Sequence, residues 1–114
     1  DGKDIVMMQA ETDNLHMDDA IIEYITMLSF ATRQNPLIEL GVSPRGSIAL
    51  AGMSKARAYI SGRTYVTPED VQSIFKDVAG HRIILNPRAK ISSVTIDEVI
   101  DNIFRTVPVP RAMR

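Results

Sequence analysis

The sequence predicts an all-α fold, a small helical bundle of four to five helices with at most one short strand pair. Three observations carry that expectation. Apolar residues recur at three- and four-residue steps in several windows, the spacing that lines up one face of a helix. Ser-Pro, Thr-Pro and Thr-x-x-Glu signals stand ahead of those windows, where helix starts need side-chain acceptors for unpaired amides. Glycine or an Asn-Pro pair closes most of them.

The first helix runs from Asp18 to Arg33. Ile21, Tyr24, Ile25, Leu28 and Ala31 make its apolar face, Asp18 is the N-cap, and Asn35-Pro36 ends it. Leu37 to Val42 reads as a connector. The second and longest helix starts at Ser43-Pro44, where serine caps and proline loses no bond at the first position, and it stops at Gly62. At roughly 100° per residue, Ala49, Gly52 and Ala56 fall within about 40° of Arg45. That small-residue stripe, flanked by Met53 and Ile60, predicts a face that another helix can approach closely.

The third helix is announced by Thr67-Pro68-Glu69-Asp70, a capping box with Asp70 as the reciprocal partner, and Val71, Ile74, Phe75 and Val78 form its inner face. Beyond Gly80-His81-Arg82, residues 83–85 (Ile83-Ile84-Leu85) read either as the end of that helix or as a brief strand, and periodicity does not choose. Asn86-Pro87 closes the segment, and Arg88 to Val94 reads as a loop with some extended character. Thr95-Ile96-Asp97-Glu98 is a full capping box for a last helix with Ile96, Val99, Ile100, Ile103, Phe104 and Val107 on one face, stopped by Pro108. Asp4 to Glu11 permits a short leading helix. The expected organisation is one domain over 1–110, with a leading segment 1–17, a helical core 18–107 and a tail 111–114.

Composition narrows the function. At 114 residues, 45% apolar and 24% charged, the chain has the make-up of one ordinary globular domain and excludes a multidomain enzyme. No apolar run approaches the roughly 18 residues of a membrane span, and Asp1-Gly2-Lys3-Asp4 does not open a signal peptide. The absence of cysteine excludes disulfides, thiolate zinc sites and a cysteine nucleophile, and points to a cytoplasmic, reducing compartment. The net charge of −1 is unevenly spread: residues 1–40 hold eight acids and two bases, residues 41–114 six acids and eleven bases. Such an asymmetry shapes docking rather than folding.

Chemistry is scarce. His16 and His81 have no ligand-spaced partners and read as structural histidines bonding backbone carbonyls. The acid pairs Asp18-Asp19, Glu69-Asp70 and Asp97-Glu98 all lie in first helical turns, where exposed amides favour negative charge. No G-x-x-x-x-G-K-[ST] loop is present, so this chain does not hold a nucleotide by itself. The six methionines read as core filler, and the aromatics do not interleave with a basic strip, so no nucleic acid is expected as a partner. Arg45 stands apart, because it projects from the first turn of the longest helix, where the dipole opposes a positive charge. Free amides and a five-donor guanidinium at one helix start suit phosphate; a solvated surface arginine is the alternative.

Gly41-Val42-Ser43-Pro44-Arg45-Gly46-Ser47, then Gly62-Arg63-Thr64-Tyr65-Val66-Thr67-Pro68-Glu69-Asp70-Val71, resembles the C-terminal lid of MoxR-family AAA+ ATPases. The likeness continues through Val78 to Leu85, ends at Val107-Pro108-Val109-Pro110, and takes in His16 to Arg33 as the first lid helix. It implies a helical lid following an α/β nucleotide-binding core, with Arg45 at the sensor-2 position, reaching ATP phosphates when the lid closes. It further implies ATP and Mg in the parent protein with none bound to this fragment, no catalytic residue or metal ligand in the fragment alone, and ATP hydrolysis by the parent. A homo-oligomeric ring, chaperone-like remodelling or assembly of client proteins and von Willebrand factor A-type partners are implied in the same way. The sequence departs from the complete family pattern in lacking the phosphate loop, the magnesium-binding acidic strand and the arginine finger, and Asp1 in place of an initiating methionine favours an excised domain. The alternative function is a free-standing helical adaptor for nucleic acid or protein.

Overall fold

The structure, a computed structural model, describes residues 15–110. Over that span it is a helical bundle with one two-stranded antiparallel sheet: α1 (Asp19–Gln34), β1 (Ile38–Leu40), α2 (Pro44–Ile60), α3 (Pro68–Arg82), β2 (Ile84–Leu85), α4 (Pro87–Ile91) and α5 (Ile96–Thr106). The leading helix expected over Asp4 to Glu11 lies outside the described residues.

Each long helix starts as its sequence dictates. Asp18 accepts from the amide of Ala20, Ser43 from Gly46 and Thr95 from Glu98. At α3 the Thr67 side chain accepts from the Asp70 amide while the Asp70 carboxylate accepts from the Thr67 amide, a complete capping box. At α5 the reciprocal half is replaced, because the Thr95 hydroxyl donates to Glu98 Oε1 at 3.2 Å. The stop of α2 is a Schellman turn: Gly62 has a φ of 80°, its amide donates to Tyr59, and the Arg63 amide donates to Ala58.

Ile21, Tyr24, Ile25 and Leu28 of α1, Val71, Phe75 and Ala79 of α3 and Val99, Ile100 and Ile103 of α5 meet in one core. The Phe75 and Phe104 rings lie 5.5 Å apart and tilted by 56°, a favourable aromatic geometry joining α3 to α5.

Three readings need correction. Residues 38–40 of the connector form β1, which pairs with β2 (Ile38 with Leu85, Leu40 with Ile84) across an irregularity. The undecided run 83–85 is divided: Ile83 caps α3 with its amide on the Ala79 carbonyl, and Ile84-Leu85 form the strand beside β1, with Ile83 and Leu85 buried. The segment Arg88 to Val94 is not extended. Asn86 accepts from the Ala89 amide and starts α4, which closes through Ser93 at φ 59° with the Val94 amide donating to Ala89. A five-residue helix shows no periodicity, and a serine in the left-handed position hides the usual glycine stop.

The third correction concerns the face of α2. Its buried residues are Gly46, Leu50, Ser54 and Ala58, stepping by four on roughly the opposite side from Arg45. Gly52 is exposed, and a Cβ there would meet nothing within 4 Å. Small residues do mediate close helix approach, but the stripe that does so is 46, 54 and 58 rather than 49, 52 and 56. Ser54 hides in that stripe because its hydroxyl donates to the Leu50 carbonyl at 2.8 Å, which satisfies a group that would otherwise be costly to bury.

Candidate functional site

Arg45 is exposed in the first turn of α2 and, among the described residues, its side chain has no hydrogen bond or ion pair. The segment that delivers it is strongly held. Both backbone groups of Val42 are tied to α1: its amide donates to Thr32 Oγ1 at 2.8 Å, and its carbonyl accepts from the Arg33 guanidinium at 2.9 Å. Thr32 in turn donates to the Ser29 carbonyl at 2.6 Å, and the Ser47 hydroxyl meets that of Ser29 at 2.7 Å. Thr32 and Ser29 are buried at 0% and 1% exposure, on the same face of α1 as Ile25 and Leu28.

Glycines make this approach possible. A Cβ on Gly41 would sit 2.7 Å from Thr32 Oγ1 and 2.8 Å from its backbone carbon. A Cβ on Gly46 would come within 2.9 Å of Val42 Cγ1, and the same point lies 3.7 Å from the Arg82 guanidinium. The start of α2 is thus flanked by guanidiniums from Arg33, Arg45 and Arg82, of which Arg33 is engaged on Val42. Sequence reasoning singled out Arg45 and missed Thr32, Arg33 and Ser29. The available signal was two hydroxyl residues on the apolar face of α1, a pattern that calls for buried partners.

A second cluster lies at the other end of α2. The carboxylate of Asp70, 0% exposed, receives Arg57 and both terminal nitrogens of Arg63 at 2.5–2.6 Å, as well as the Thr67 amide at 2.9 Å. Burial pushes its pKa up, but the hydrogen bonds from Arg63, the Thr67 amide and Arg57 outweigh that and bring it down from 3.8 to about 2. All of these groups lie within one chain and satisfy one another, so the cluster is a latch between α2, the 61–67 turn and α3.

The remaining candidates do not assemble. The exposed His16 imidazole lies 3.9 Å from Asp18 rather than on a carbonyl, while its backbone bridges the 64–66 turn, and His81 is exposed. Among the described residues no group of histidine and carboxylate side chains could hold a metal ion. Nor is any helix long and apolar enough to cross a membrane. A phosphate fits the α2 start chemically through the unengaged Arg45 guanidinium, the Gly46 and Ser47 amides being taken up by Ser43; magnesium would need carboxylates from outside the described residues.

Comparison with known proteins agrees with the fold. The family model described as an AAA lid domain matches residues 30–103. YeaC of Bacillus subtilis, an uncharacterized protein, is 40% identical over 95% of this chain and 34% of its own length. MoxR1 of Mycobacterium tuberculosis, described as a chaperone, is 28% identical over 95% of this chain and 31% of its own. A crystal structure of a protein provisionally assigned as an ATPase, from Cytophaga hutchinsonii, superposes with a TM-score of 0.81 at 31% identity, over 90% of this chain and 34% of that one. The chain spans about a third of the length of these proteins.

Proposed function

The chain belongs to the AAA lid domain family, as a lid of the MoxR type, and from that premise we propose that it closes over ATP held by a nucleotide-binding core in the same parent protein. Arg45 is the residue proposed to hold a phosphate oxygen. The observation that carries the reading is its isolation: a guanidinium set against the helix dipole, unpartnered among the described residues, on a backbone segment tied down at both backbone groups of Val42. Bound ATP would supply the negative charge that this helix start lacks. The core would supply the phosphate loop and the magnesium ligands.

Arg45, as a planar donor, would make charge-assisted bonds in closed lids and lose them when the γ-phosphate leaves. Because Val42 is fixed to α1, a pull on Arg45 reaches α1 and the core behind it rather than deforming a loop. The parent protein is accordingly proposed as a cytoplasmic ATPase working as a homo-oligomeric ring. Its lid motion would drive chaperone-like remodelling or assembly of clients, with von Willebrand factor A-type proteins among its partners. Support for the chaperone role comes from the description of one relative alone.

Arg45→Ala in the full-length parent tests the reading. ATP turnover should fall by on the order of 10²-fold, as when one pre-organised charge donor is lost, with the melting temperature unchanged. Wild-type turnover in a folded variant would return Arg45 to a solvated surface residue.

A further inference from the structure

We infer that Thr32 and Arg33 are positioning residues for Arg45, acting as a clamp on the two backbone groups of Val42. The inference rests on the lid reading above and goes beyond it, because it places determinants of turnover on a different helix from the arginine they serve.

The clamp is selective. In a chain leaving a strand and entering a helix, residues 41–43 have no ladder of their own, so their amides and carbonyls need partners from elsewhere. Of these, Val42 alone is buried, at 1% exposure, and α1 satisfies it on both sides with consecutive residues, Thr32 accepting from the amide and Arg33 donating to the carbonyl. Gly41 lets the backbone lie directly on Thr32, a contact any Cβ would close. Ser47, one turn into α2, adds a further bond to Ser29. Thr32 is itself oriented by the Ser29 carbonyl, which leaves its oxygen lone pairs aimed at Val42. Two residues separate this fixed point from Arg45, so the clamp sets the backbone position from which the guanidinium projects, and no contact of the side chain's own does so.

A hydroxyl serving only as core filling would be replaceable by a methyl. Thr32→Val keeps the volume and removes the acceptor; Thr32→Ser keeps the acceptor and removes a methyl. In the full-length ATPase we expect Thr32→Val to lower turnover at saturating ATP roughly tenfold, since small misplacement of a catalytic group is costly. Thr32→Ser should stay within about twofold of wild type. The decisive readout is the double-mutant cycle with Arg45→Ala. If Thr32 acts through Arg45, Thr32→Val changes turnover less than about twofold in the Arg45→Ala background. A loss by the same factor in both backgrounds, or Thr32→Val at wild-type turnover, overturns the clamp while leaving the lid reading intact. Arg45→Ala at wild-type turnover removes the lid reading and the clamp with it. Should Thr32→Val not fold, the exposed Arg33→Ala carries the same cycle, with the same non-additivity expected and the same additivity overturning it.

Discussion

At the C-terminal end of α2, Arg57 and the nearby Arg63 close on the buried carboxylate of Asp70, whereas at its N-terminal end Arg45 is exposed and meets no partner among the described residues. Both ends belong to sequence stretches that look like signatures, Gly-x-Ser-Pro-Arg at one and Gly-Arg-x-Tyr-Val-Thr-Pro-Glu-Asp-Val at the other. The helix dipole favours Arg57 in the last turn and disfavours Arg45 in the first. The difference teaches how to divide a motif into what folds the domain and what the domain offers outward. A charge answered within the chain accounts for itself structurally. One set against the dipole and left unanswered among the described residues is the one proposed above to meet a phosphate.

The sharpest break would come from Asp70→Ala. Removing the shared partner of two arginines should cost about 3 kcal/mol of unfolding free energy, read by chemical denaturation. The lower edge of the usual range is expected because the Arg57 and Arg63 side chains keep access to water, at 39% and 25% exposure. Turnover per folded full-length molecule should stay near wild type, the reverse of the pattern expected for Arg45→Ala. Loss of turnover without loss of stability would put the latch in the working site and erase the contrast.

Acid titration sharpens the same contrast without mutating either end. The folded pKa of Asp70, about 2, lies below the ordinary 3.8. The latch therefore stabilises fully above pH 3.8, and that stability is lost as pH falls towards 2. The loss should amount to about 2 kcal/mol and should vanish from the Asp70→Ala profile. An unchanged acid profile in that variant would show that the carboxylate is not held down by the arginines.

The smallest effect is expected between the two ends. Gly52→Ala adds a methyl where nothing stands within 4 Å, in the interior of α2, and should stabilise the domain by about 0.5–1 kcal/mol through helix propensity. Destabilisation would mean that the outer face of α2 is more crowded than its open position indicates.

Much of the scaffold was legible because its determinants are local. Asp18, Ser43 and Thr67 cap by bonding amides two or three residues away, Pro44 and Pro68 fit only a first turn, and Gly62 is needed where φ is positive. The α5 face reads directly from its spacing, since Val99, Ile100 and Ile103 are apolar among polar neighbours. The α2 face misled because both of its sides carry small residues, and only neighbours decide which side is covered. Ile48 and Ile60, at 75% and 76% exposure, show how little apolarity by itself fixed the choice.

The sequence by itself determined where the four long helices begin and end, which faces of α1, α3 and α5 are apolar, and that Arg45 stands at a helix start against the dipole. Each of these is a property of residues within a turn or two of one another, and local sterics and hydrogen bonding decide it. Tertiary structure alone decided that Ile84 and Leu85 pair as a strand, that Asp70 gathers Arg57 and Arg63, and that Thr32 and Arg33 seize Val42. Those outcomes join residues from 7 to nearly 50 positions apart. Closing such loops costs entropy that only the packed assembly offsets, so no short window of sequence contains the answer.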